Sequence, residues 1–249
     1  MRADTSTEET TMLRSLLCAA VLTASLNACV PDAAPPPCLI QRGYYTVQLT
    51  LETPPSGACT DVLPSIYGDS WRMDMYQPDN QVVVHPLSMP YPDVGGDPDP
   101  SHPYFGKGNL SGEPDSRSVC TMPTMSEARA DVDPLGLGPG QETYTLSAEQ
   151  LEFLSGADYQ GTEFQGEVAI SFGDCSGTYK ALALNPLVPC ASDDDCSPDA
   201  DPTAGRAIGS GINAQYAVAC TKADWVTNFL TGDPTVGVCF FTKPFPGLK

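Results

Sequence analysis

Proline and glycine interrupt this chain too often for a helical protein. With 25 prolines and 22 glycines in 249 residues, the sequence demands many turns with short extended segments between them. Several of those segments alternate apolar and polar residues with a period of two, as half-buried strands do. In residues 44–51, Tyr45, Val47, Leu49 and Leu51 fall on one face. Residues 71–76 and 81–84 read as two further strands around the turn Pro78-Asp79-Asn80. From Pro86 to Pro114 the density of Pro, Gly and Asp predicts a long surface excursion. Residues 143–146 read as a strand, whereas Ser147 to Gln150 matches the S-x-x-Q capping box and predicts a short helix through Leu154. The clearest element is a hairpin over residues 165–184, with Val168, Ile170 and Phe172 on one side and a turn at residues 173–177. The expected fold class is mainly β: an antiparallel, β-sandwich-like domain with a disulfide-rich, loop-rich C-terminal appendage. No repeat of fixed period emerges.

The N-terminal region carries an address. Residues 12–29 run MLRSLLCAAVLTASLNAC, with Arg14 as a positive start and an apolar run from Leu16 to Leu22. That run is far shorter than the ~20 residues needed to cross a bilayer, so it reads as a secretory signal and not a span. Its end, Leu26-Asn27-Ala28-Cys29, resembles the lipobox of bacterial lipoproteins. The resemblance implies diacylglyceryl transfer to the Cys29 thiol, cleavage after Ala28 and acylation of the new α-amine. The first eleven residues are polar and acidic, which places the expected translation start at Met12. Residues 29–37 form a Pro-rich, extended tether. Val30 follows the anchor where an inner-membrane retention signal would place Asp, so the outer membrane is the expected destination. The alternative is an ordinary secreted protein in which Cys29 is one more thiol.

Ten cysteines then sort themselves. Cys18 lies in the removed segment and Cys29 takes the lipid, which leaves Cys38, Cys59, Cys120, Cys175, Cys190, Cys196, Cys220 and Cys239. Eight is an even number, suited to four disulfides in an oxidising envelope. Of the 105 pairings eight cysteines allow, the expected ones keep the first four together and the last four together, with Cys59–Cys120 the favoured single pair. A composition break near Pro189 motivates that division, giving a β-rich region at 38–189 and a disulfide-rich region at 190–249. The second region, with Cys190, Cys196, Cys220 and a closing Gly237-Val238-Cys239, resembles a cysteine module found in lipoproteins of large-genome soil proteobacteria. That resemblance implies no activity. Residues 221–230 form a possible helix with Trp225 and Phe229 four apart on one face.

Charge restricts the partners. Loss of residues 1–28 removes Arg2, Arg14, Asp4, Glu8 and Glu9, so of 12 basic and 31 acidic residues 10 and 28 remain, a net charge of −18. Such a surface repels nucleic-acid phosphates, and no nucleic-acid partner is expected. The membrane, reached through the lipid, is the expected partner, with a protein or glycan as a further one.

Catalytic motifs are scarce. Neither HExxH, GxSxG, Walker A nor CxxC occurs, and no cofactor or metal is expected. Gly209-Ser210-Gly211-Ile212-Asn213-Ala214 fits GxGxxA but lacks a preceding strand, so it reads as a flexible loop. His85 and His102 sit beside prolines in expected loops, and a triad through either would need partners that the fold must supply. The carboxylates Asp193, Asp194, Asp195, Asp199 and Asp201, and separately Asp93, Asp97 and Asp99, are either solvated loop charges or weak calcium ligands. The expected function is a non-catalytic, membrane-anchored structural or binding lipoprotein. The alternative is an extracellular hydrolase working through two unrecognised carboxylates.

Overall fold

The computed structural model describes residues 37–53, 57–89, 103–132, 142–156, 158–205 and 208–249. The signal segment, Cys29, residues 29–36 of the tether, His102, Asp93, Asp97 and Asp99 lie outside the described residues. The chain is mainly β and antiparallel. Eight strands form one sheet: β1 (Gly43–Leu51), β2 (Ile66–Tyr76), β3 (Gln81–Pro86), β4 (Gly106–Asn109), β5 (Val119–Val132), β6 (Glu142–Leu154), β7 (Glu163–Phe172) and β8 (Cys175–Leu184). Their order across the sheet is β4-β3-β2-β1-β8-β7-β6-β5. Every neighbour in that order except the β1–β8 pair is also a neighbour in sequence, so the sheet is an up-and-down meander whose first and last strands pair.

The two facing layers expected of a sandwich are supplied here by one sheet curled until its ends meet. The seam lies between β4 and β5. Across it Lys107 N donates to Ser126 Oγ at 3.0 Å, and just beyond β4 Ser111 N donates to the Thr121 carbonyl at 2.9 Å. Glycines make the approach possible: a Cβ on Gly106 would come within 2.7 Å of Met125, and one on Gly108 would land against the Thr124 carbonyl and the Met122 sulfur.

Alternation fills the interior. Tyr45, Val47 and Leu49 of β1, Trp71 and Met73 of β2, Val82 and Val84 of β3, Phe164 and Val168 of β7 and Tyr179 of β8 are all fully buried. Phe164 sits at the centre, its ring 5.7 Å from Tyr45, 5.6 Å from Trp71 and 5.2 Å from Phe153. Each such side chain contributes roughly 1.5–3 kcal/mol through burial. One end is stoppered by the segment before β1. Cys38 is buried and bonded to Cys120, and the Tyr45 hydroxyl reaches the carbonyl oxygens of Gln41 and Gly161 at 2.7 Å.

Three readings of the sequence are corrected. The capping box at Ser147–Gln150 starts no helix, because β6 runs unbroken to Leu154 between β5 and β7. Leu146, Ala148, Leu151 and Phe153 all face the core, and the one-residue slip between Ala148 and Leu151 is a bulge in which Gln150 adopts φ +49°. Burial of four apolar side chains outweighs a local capping motif. Cys59 does not pair with Cys120 but with Cys175, tying the β1–β2 loop to the start of β8, while Cys120 is taken by Cys38. The 86–114 excursion also contains β4.

The C-terminal region forms a smaller sheet of order β10-β11-β9, from β9 (Pro189–Cys190), β10 (Val218–Thr221) and β11 (Gly237–Phe241). Disulfides Cys190–Cys220 and Cys196–Cys239 brace it. Helical turns over Asp224–Val226 and Thr227–Thr231 press Trp225 against the outer side of β2, where a Cβ on Gly68 would meet the Trp225 carbonyl at 2.6 Å. The 209–214 segment is irregular, with Ile212 buried in this second core.

Candidate functional site

Among the described residues, the end of the barrel opposite the stopper is open. Here β1 and β7 end and β2, β6 and β8 begin, and their first and last inward residues surround a cavity of about 470 Å³. Tyr67, Tyr144, Ile170, Phe172 and Tyr179 form its wall. Its rim is apolar and faces solvent: Val62 from the β1–β2 loop, Leu87 after β3 and Phe229 from the C-terminal helical turns are 42%, 55% and 49% exposed. Three of the eight exposed large apolar side chains of the described residues thus line one mouth, against the usual scatter of single exposed hydrophobics.

The aromatic wall is mutually braced. The Tyr67 ring meets Tyr179 edge-on at 5.4 Å and Phe229 at 5.6 Å, and Tyr144 meets Phe172 at 6.4 Å. The Tyr179 hydroxyl donates to the Pro64 carbonyl at 3.1 Å, which fixes both the ring and the loop.

Asp69 lies at the base. It points inward from β2 between Tyr67 and Trp71, is almost fully buried, and is the one charged residue among the described residues lining the cavity. Four neutral donors hold it. Oδ1 accepts from Ser70 N at 2.7 Å and Ser88 N at 3.0 Å, and Oδ2 accepts from Trp71 Nε1 and Ser88 Oγ at 2.8 Å each. Burial without a cation pushes its carboxyl up to about 6, and the four hydrogen bonds keep it from rising further. Burial likewise raises the Tyr67, Tyr144 and Tyr179 hydroxyls, so all three are neutral at physiological pH.

The hydroxyls extend the network outward. Tyr144 Oη lies 3.4 Å from Ser88 Oγ, and Tyr67 Oη lies 3.3 Å from Tyr144 Oη. Because Ser88 spends its only hydroxyl proton on Asp69, it can only accept from Tyr144, and Tyr144 can then only accept from Tyr67. All protons point toward the carboxylate. The oxygens left facing the cavity present lone pairs.

Other residues of interest fall elsewhere. His85 is on the outer side of β3, paired in register with Arg72, and its ring packs on Phe105 at 5.3 Å and Tyr104 at 5.9 Å. Burial, followed by the charge of Arg72, lowers its pKa. Three of the tail aspartates accept from backbone: Asp195 Oδ2 from Ala191 N and Ser192 N and Asp201 Oδ1 from Thr203 N, both local, and Asp193 Oδ1 from Cys220 N on β10. A second buried acid, Glu163, begins β7, where Oε1 accepts from Gly247 N at 2.7 Å and Oε2 has no partner.

Sequence reasoning passed over Asp69, Tyr67, Ser88, Tyr144 and Tyr179 as functional residues. A signal was present for Asp69. Carrying the alternation of β2 back from Trp71 by two positions places an acid on the core face, and a buried acid without a cation is uncommon enough to mark a site.

A nearly closed antiparallel meander with one stoppered end and one aromatic, acid-based mouth defines a small single-sheet barrel with a ligand-sized cleft. The chain belongs to the MlpA family, whose model matches residues 43–186, the span from β1 to just past β8. It is 25% identical over 174 residues to a Myxococcus xanthus protein described as "Putative lipoprotein MlpA", an alignment that covers 68% of this chain and 66% of that protein. No solved structure matches.

Proposed function

We propose that this chain is an exported lipoprotein, held at the outer membrane by acyl chains on Cys29, whose barrel mouth binds a small, largely apolar ligand and performs no chemistry on it. The relative's description as a lipoprotein and the Leu26-Asn27-Ala28-Cys29 box support the anchor. The observation that carries the binding role is the solvent-facing apolar rim of Val62, Leu87 and Phe229 around a cleft of about 470 Å³, a size typical of small-molecule sites. Hydrolysis by paired carboxylates would need two such groups facing one another, and the described lining supplies Asp69 alone.

Titration with an uncharged naphthalene dye tests this. Dye fluorescence should rise and saturate at one site per molecule, and Leu87→Asp should weaken binding about tenfold while leaving the fold intact, since Leu87 is mostly exposed. Unchanged fluorescence on titration, or a response indifferent to Leu87→Asp, would contradict the assignment.

A further inference from the structure

The geometry points to a small organic cation, an alkylated ammonium carrying an apolar or aromatic group, as the ligand of the barrel mouth. This rests on the reading of the mouth as a binding site and adds the chemical class. Three features converge on it. The first is charge: among the described residues Asp69 is the single charged group of the lining, with no Lys, Arg or His beside it, and all four of its donors are neutral. A buried carboxylate with no counterion leaves an uncompensated negative field in a low-dielectric cleft.

The second is the wall. Tyr67, Tyr144, Phe172, Tyr179 and Phe229 surround the space, and aromatic faces attract quaternary and other alkylated ammonium groups through their quadrupoles. The third is polarity of the hydrogen bonds. Since the Tyr67–Tyr144–Ser88 chain directs its protons toward Asp69, the cavity offers acceptor oxygens to whatever enters. Negative field, π faces and lone pairs favour a cation and disfavour an anion. The same argument separates the two sources of such a group. In a phospholipid head the ammonium is followed by a phosphate, for which the described lining of the mouth offers no basic partner, so the ligand is a free cation.

The test is competition against the uncharged naphthalene dye on the folded, disulfide-intact protein. Benzyltrimethylammonium and neopentylbenzene have the same shape and differ by one charge. The ammonium should displace the dye at least tenfold more effectively than its neutral isostere, and phenylmethanesulfonate should not displace it. Asp69→Asn should abolish the preference. Should that variant not fold, Phe229→Leu, which keeps an apolar side chain at the rim and removes a π face, should lower ammonium affinity several-fold more than that of the isostere, and an equal loss for both would overturn the inference. Equal displacement by ammonium and isostere would overturn the inference while leaving the binding role intact. Absence of dye binding would overturn both. Displacement of the dye by phosphatidylcholine vesicles would overturn the assignment to a free cation.

Discussion

Two buried acids set the pH behaviour of this molecule. Asp69 moves from an ordinary value of 3.8 to about 6 and Glu163 from 4.5 to about 7, in both cases chiefly through burial. Each folded-state value lies above the unfolded one, so the folded chain holds protons that the unfolded chain releases. The stabilisation is complete below the unfolded values and is lost as pH rises through about 6 and then about 7. For each group the loss is about 3 kcal/mol. Glu163 isolates the effect, because it is fully buried, accepts one hydrogen bond from Gly247 N and leaves Oε2 unpaired. Glu163→Gln retains an acceptor for Gly247 and removes the ionisation. Urea melts should therefore find the variant about as stable as the parent at pH 4.5 and about 2–3 kcal/mol more stable at pH 8. An equal pH slope in variant and parent would refute the role given to Glu163.

Among elements, legibility followed the inward side chains. The strands β1, β2, β3, β7 and β8 show in the sequence because their core positions are large and apolar, with Tyr45, Val47, Leu49, Val82, Val84, Val168 and Ile170 recurring every second residue. By contrast β4 is invisible, because its two buried positions are Gly106 and Gly108, which carry no apolar signal. They are glycines because β5 fills the space where side chains would stand. Strands β5 and β6 are obscured by bulges at Met125/Ala128 and Glu149/Glu152 that break the period of two. The mouth escaped for a related reason: its rim comes from loops and from the C-terminal turns, brought together by pairings more than a hundred residues apart. The seam gives a prediction at this scale. Gly108→Val should drive β4 from β5 and destabilise the barrel by about 2–3 kcal/mol in thermal or urea melts. Gly112→Ala, where nothing lies within 4 Å of the new methyl, should be neutral. Equal effects would mean that β4 and β5 do not meet as described.

For the whole molecule, the four disulfides serve one arrangement. Cys38–Cys120 closes 82 residues at the stoppered end, Cys59–Cys175 closes 116 at the mouth, and Cys190–Cys220 and Cys196–Cys239 hold the C-terminal sheet whose turns supply Phe229 to the rim. Loops of the first two sizes stabilise by roughly 4–5 kcal/mol each in the chain-entropy account. The grouping of the first four and the last four cysteines was legible from composition, whereas the partners within the first group depended on which strand ends the barrel brings together. Mass analysis of protein extracted from membranes should find a chain beginning at Cys29, acylated there, with no free thiol. An unmodified Cys29, or one bridged to another cysteine, would contradict the anchor.

Where a bound molecule sits decides the binding role most directly. Methyl-labelled protein saturated with the uncharged naphthalene dye should show intermolecular nuclear Overhauser contacts from the dye to the methyl groups of Ile170, Leu87 and Leu63, which line the mouth. Contacts confined to methyl groups away from the mouth would contradict the account.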